Sequence, residues 1–255
     1  MSKRSNWSIP YVVFLVFFVA LPLVLVMVYA FQDSQGHFTL GNLAKFFTDK
    51  DALSTFAVSI EVALENTALC IILGYPAAWI LANKQYNKSA VTIVLFIMPM
   101  WINALMRTLA TAQLFTMLDI TLGKGTLLFG MVYDYLPFMI YPIYNILVKM
   151  DKSYAEAAVD LGATPWTAFW KVTVPLSMPG VMSGVLMVFM PTVSTFAIPE
   201  FLTNNKIKLF GTIIQENINS SMWNYGAALA FVMLIIIGIT TLFDKDKEEL
   251  EGGLI

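Results

Sequence analysis

Glu65, Asp134, Glu200 and Trp101 are the polar and aromatic residues of this sequence placed in or beside apolar runs where they could line a solute path. Glu65 and Asp134 fall within or at the edge of long apolar runs. A carboxylate at the centre of a bilayer costs at least ~2.5 kcal/mol on insertion scales, so each is a candidate for lining a solute path. At a membrane boundary each would instead be an ordinary interfacial side chain. Trp101, in the polar phrase Met100-Trp101-Ile102-Asn103, could hold an ammonium against its ring face or belong to the aromatic belt where a helix leaves the membrane. Glu200 marks the outer end of another apolar segment and serves either as a path residue or simply as that boundary.

Other chemistry finds little support. Gly123-Lys124-Gly125-Thr126 lacks the upstream glycine of a phosphate-binding loop and follows no strand, so ATP must be bound by another chain. His37 is the only histidine and sits in a loop, which leaves histidine-based proteolysis and a serine–histidine pair without residues. A metal site would need a ligand cluster that the sequence lacks. Cys70 is the only cysteine and lies in an apolar run, where it reads as a small buried hydrophobe. The net charge of −2, without a dense basic stretch, gives no argument for nucleic acid.

The elements that must position these residues are membrane spans. Hydrophobic residues make up 58% of the chain and charged ones 13%, against about 25% charged in soluble domains. Tyr11–Phe31 carries no charge and is long enough to cross the hydrocarbon core. It follows Lys3 and Arg4 but lacks a small-residue cleavage site, and reads as an uncleaved first span. Five further segments, 56–82, 89–106, 127–148, 176–199 and 225–243, predict six helices, because open strands cannot satisfy their backbone groups in lipid. Lys3, Arg4, Lys84, Lys88, Lys149, Lys152, Lys171, Lys245 and Lys247 fall on one side. Lys45, Lys50, Arg107, Lys124, Lys206 and Lys208 fall on the other. The bias places both termini in the cytoplasm. The outer loops are too short to capture a solute, so high-affinity capture would fall to a separate protein.

The segment joining the fourth and fifth spans, about 149–175, holds the densest local pattern. Ser153 followed by Glu156 fits a capping box, Gly162 suits a left-handed helix end, and Thr164-Pro165 restarts a helix as N-cap and N1. Two short helices therefore meet at a bend, the second bearing Trp166, Phe169 and Trp170. Such a projection either packs on its own bundle or is gripped by a partner.

Glu156-Ala157-Ala158, three residues, Gly162, nine residues, then Val172-x-Val174-Pro175 resembles the EAA loop of ABC importer permeases, with valines replacing isoleucine and leucine. Gly74-Tyr75-Pro76-Ala77-Ala78-Trp79, Pro99-Met100-Trp101-Ile102-Asn103, Leu136-Pro137-Phe138-Met139 and Pro175-Leu176-Ser177-Met178-Pro179-Gly180 are similar to phrases in the permeases of spermidine/putrescine importers. The resemblance implies an all-α membrane protein with the type I ABC importer permease fold: one transmembrane domain over 1–255, with the 149–175 loop as coupling helices. It gives Glu156, Ala157, Ala158 and Gly162 the coupling role, with Pro175 leading into the next span. It further implies a bacterial inner membrane location and a non-enzymatic subunit without cofactors of its own, ATP and Mg being bound by two copies of a partner ATPase. A second, C-type permease and an extracytoplasmic polyamine-binding protein complete the expected assembly, embedded in lipid. The alternatives are a permease for another small solute, such as an amino acid or metal complex, or a secondary transporter. The latter usually shows paired halves with matching helix breaks. Pro22, Pro76, Pro99, Pro137 and Pro191 are expected to interrupt spans, but no half-to-half likeness is evident.

Overall fold

The computed structural model describes the backbone of residues 9–252 except 85, 86, 88 and 90, and side chains from 10 to 238 apart from those same positions. Lys3, Arg4 and Lys88, used above for orientation, lie outside the described residues, as do the side chains of Lys245, Lys247 and the acidic tail. Among the described residues the chain is helical, with a single β-bridge, Gln32 to Phe38.

The helices follow the apolar runs. α1 (Pro10–Ala30) has a mean hydropathy of 3.0 with none of that window buried inside the protein, and includes a π-helical turn at Val16–Ala20. α2 (Gly41–Thr48) lies outside and leads to α3 (Lys50–Ala82). α4 (Val91–Ile97) tightens into a 3₁₀ turn at Met98–Trp101, and α5 (Ala104–Met117) leaves it at 90°. α6 (Lys124–Lys149) precedes the loop helices α7 (Ser153–Asp160) and α8 (Pro165–Leu176). α9 (Met178–Ser194), α10 (Ala197–Thr203), α11 (Phe210–Asn219) and α12 (Trp223–Gly252) complete the order.

Three helices are long and apolar enough to span alone, and up to five if each bent pair counts as one; α12 adds a shorter apolar stretch at Trp223–Gly238. The third expected span, 89–106, is therefore corrected. Its helix stops at Trp101, and Asn103 caps a new one by accepting from the N–H groups of Leu105 (2.9 Å) and Met106 (3.3 Å). The expected span 176–199 likewise stops at Ser194. By contrast, the helices continue through Pro76, Pro137 and Pro191, which do not interrupt them. Prolines are tolerated in membrane helices where neighbours and local adjustment re-satisfy the freed backbone groups.

α3, α6 and α9 form the centre of the bundle, packing Cys70, Ala78, Met139, Ile143 and Val188 together. Gly184 permits the approach of α9 to α6: a Cβ there would lie 2.7 Å from Met139 Sδ and 3.3 Å from Met139 Cα. Small residues at such crossings let backbones meet where no hydrophobic driving force exists between helices in lipid. Asn66 Nδ2 donates to Thr192 Oγ1 at 2.8 Å, tying α3 to α9 inside that core. At the C-terminal end of α1, Asn42 donates to Ala30 O and Gln32 O, and Asn224 to Tyr29 O, Gln32 O and Asp33 O. Those bonds satisfy carbonyls that the helix end leaves over.

Candidate functional site

The loop of 149–175 is built much as its residues predict. Gly162 has φ +91°, its N–H donates to Val159 O (2.8 Å), and the Ala163 N–H donates to Ala158 O (3.0 Å). That pair of bonds is the Schellman arrangement, which favours glycine at the left-handed position. Thr164 then caps α8, its Oγ1 accepting from the Thr167 N–H at 3.2 Å with Pro165 next. The expected Ser153–Glu156 capping box is not formed. Instead Asp151 Oδ1 accepts the Ser153 N–H at 2.9 Å, and this bond holds the Asp151 carboxyl below its usual range. Glu156, Ala157 and Gly162 face solvent, Ala158 is half-buried, and Leu161 at the tip is 90% exposed. A cavity of about 470 Å³ separates the loop from the ends of α3 and α6. Pro175 lies just before a 61° bend between α8 and α9.

The cation-handling candidates do not converge on one point. Asp134 is 2% exposed on α6 and faces Arg107 of α5, with Nη2 to Oδ1 at 3.1 Å, while Thr108 Oγ1 donates to Oδ2 at 3.3 Å. Arg107, expected in an outer loop, is thus buried, because the break at Ile102 and Asn103 folds its helix against α6. Its guanidinium also lies 5.5 Å from the Tyr133 ring centroid, and its Nε and Nη1 are buried without a hydrogen-bond partner. Glu65 lies with Glu61 one turn away on α3, and Lys124 Nζ reaches both, at 2.8 and 2.7 Å. Trp101 is 80% exposed at the end of the 3₁₀ turn, and Glu200 is exposed in the first turn of α10. A second cavity, of about 690 Å³, opens between α2, the start of α3 and α11, with Asp49, Lys208 and Glu216 among its walls. No metal-binding group of three or more ligands occurs among the described residues.

The arrangement is spread over the bundle. It joins a buried, internally paired carboxylate, an exposed tryptophan at a helix break and a protruding loop on a stiff turn. Residues 6–245 match the family of binding-protein-dependent transport system inner membrane components. The chain belongs to that family. The permease is 32% identical to the spermidine/putrescine transport system permease protein PotB of Salmonella typhimurium strain SL1344, covering 94% of this chain and 92% of the relative. It is 31% identical to PotB of Escherichia coli K12, covering 89% and 91%. A chain from a bacterial ABC transporter that imports the acidic polysaccharide alginate shares the fold with TM-score 0.68 and 14% identity, over 95% of each chain. The same kind of transporter, solved with a periplasmic protein bound to an alginate pentasaccharide, matches with TM-score 0.69 at 13% identity, over 96% of this chain and 93% of that one. The protein is therefore a multi-pass inner membrane permease subunit of the type I ABC importer fold, non-enzymatic, with ATP hydrolysis on a separate subunit.

The permease also contains contacts that its sequence did not reveal. Arg107 was missed as the partner of Asp134, although an arginine just beyond a polar break could have prompted the pairing. Tyr75 was missed as a bridge: its hydroxyl lies 2.7 Å from Ser177 Oγ across α3 and the α8–α9 bend.

Proposed function

We propose that this permease carries linear polyamines of the spermidine/putrescine class inward across the bacterial inner membrane, as part of a path shared with a second, C-type permease. The observation that supports this reading most directly is the likeness to PotB proteins over nine-tenths of the chain. The residues supply a physical basis. A polyamine is a methylene chain punctuated by ammonium groups. Trp101 offers an exposed ring face, where cation–π attraction contributes roughly 0.5–2 kcal/mol, and Asp134, Glu65 and Glu200 offer carboxylates. Asp134 and Glu65 are already paired with Arg107 and Lys124, which suits a path, since tight binding would trap the solute. Affinity then resides in an extracytoplasmic polyamine-binding protein.

The whole chain acts as one transmembrane domain with both termini and the 149–175 loop in the cytoplasm. Glu156, Ala157, Ala158 and Gly162 seat on one of two ATPase copies, which hold ATP and Mg, and Pro175 passes the loop's displacement to α9. ATP shifts the assembly only by binding one conformation more tightly than the other. Competition uptake in cells lacking other polyamine importers tests the solute. Radiolabelled putrescine uptake should fall with excess unlabelled spermidine. Uptake indifferent to both polyamines but blocked by an amino acid or metal complex would replace the solute and retain the permease.

A further inference from the structure

The coupling loop does not lie flush on the bundle. Between it and the ends of α3 and α6 is the cavity of about 470 Å³, and Phe169 stands in its wall. The Phe169 ring meets Tyr75 edge-on at 5.9 Å and Trp79 edge-on at 5.6 Å, both on α3, while its other neighbours, Trp166 and Trp170, belong to the loop itself. Phe169 also opens the π-helical turn Phe169–Thr173, a wide turn of a kind found often at functional sites. Four residues beyond that turn the chain bends by 61° at Ser177, which is fully buried. Ser177 Oγ lies 3.0 Å from Val174 O and 2.7 Å from the Tyr75 hydroxyl, so it bridges the bend's backbone and α3.

Tyr75 therefore makes two contacts, with the loop through its ring at Phe169 and with the α8–α9 bend through its hydroxyl. We infer that Tyr75 is a positioning residue for coupling: it joins the movement of the 149–175 loop to α3 and α9 at once, so that these two helices move together. Without this joint the loop keeps its ring contact with Trp79 on α3 but reaches α9 along the chain, through a π turn and a bend. With it, pressure on the loop loads Phe169 against α3 and holds the angle between α8 and α9. The inference rests on the loop being the ATPase-docking element, and its test takes spermidine, the solute class proposed above, as the probe.

The test uses the intact complex, with its ATPase, second permease and binding protein, reconstituted in vesicles, and reads spermidine taken up per ATP hydrolysed. Mutations along a coupling route shift the coupling by roughly two- to thirtyfold. Tyr75→Phe keeps the ring and loses the hydroxyl, so it should lower that ratio within this range while the ATPase still copurifies and still hydrolyses ATP. Ser177→Ala should give the same loss, and the double variant should be no worse than either alone, because both remove one bond. Phe169→Leu should lower the ratio and Phe169→Tyr should restore it. An unchanged ratio in Tyr75→Phe overturns the inference, as does additive loss in the double variant. Equal loss of uptake and ATPase activity also overturns it, by making Tyr75 merely structural. Gly162→Val separates the two layers: if it uncouples transport and Tyr75→Phe does not, docking stands and the joint fails; if Gly162→Val also leaves transport normal, both fail.

Discussion

Asp134 and Arg107 form the kind of buried pair in which each charge makes the other tolerable. Removing one partner leaves the other uncompensated in the bundle, at a cost of about 3–5 kcal/mol. Asp134→Ala should therefore lower the thermal stability of the purified permease sharply, whereas the double change of Arg107 and Asp134 to leucine should cost less than the sum of the singles. Thermal unfolding monitored by size-exclusion chromatography distinguishes these outcomes. Gly162 behaves differently. No atom lies within 4 Å of a Cβ built there, so Gly162→Val meets only the left-handed backbone penalty, on the order of 1–2 kcal/mol. The protein should insert and remain folded but lose ATPase copurification or transport. The sequence exposed these two residues unequally. The Gly162 turn is local, written in its neighbours. The pairing of Asp134 depends on a helix break 31 residues upstream at Asn103, and no local pattern reports which side chain a reversed helix will bring back.

At the scale of elements, long apolar runs were enough to locate the helices, since lipid leaves the backbone no other choice. Their ends and bends were not. Pro76, Pro137 and Pro191 look like breaks in the sequence and are accommodated by packing, while the real break at Ile102–Asn103 depends on a 3₁₀ turn followed by an asparagine cap. The crossing of α6 and α9 depends on small residues whose role is visible only once the helices meet. Gly184→Val would thrust methyl groups against Met139, and overpacking of this kind typically costs about 1–3 kcal/mol. The variant should melt earlier than the unaltered permease, and a compensating Met139→Ala should recover part of the loss. Asp49 illustrates a terminal contact that only tertiary structure supplies. It caps α3 through the Asp51 and Ala52 N–H groups and accepts the Tyr225 hydroxyl at 2.9 Å. That hydroxyl is the main cause of its lowered carboxyl pKa.

For the molecule as a whole, the basic-residue bias predicts that the loop and Ser220 lie on opposite faces of the membrane. Cysteines introduced at Ser153 or Ser220, in a Cys70→Ala background, should respond oppositely to an impermeant thiol reagent. Ser220→Cys should label in intact cells and Ser153→Cys only after permeabilisation, and labelling of Ser153→Cys from outside would reverse the orientation. Cys70 itself is fully buried, so its replacement concerns specificity of labelling rather than access. Fold class and the two-helix form of the 149–175 loop were legible at this scale because composition and motif spacing survive without tertiary knowledge. The division of polar residues between internal pairs and exposed path candidates was not, because it is decided by which helices touch.

The first helix has a last consequence. Its apolar window buries nothing inside the subunit, and its described polar contacts gather at the C-terminal end, where Asn42 and Asn224 clasp the carbonyls of Ala30 and Tyr29 and the next residue, Phe31, packs edge-on against Phe231 at 5.4 Å. Within a lone subunit, exchanging one large apolar residue for another between Tyr11 and Val24 should be close to silent. A conservative scan of that stretch is consequently a ruler for the assembled transporter. Each position where Phe→Leu or Val→Leu impairs copurification of the second permease marks a place where a neighbouring chain, rather than lipid, lies against this helix.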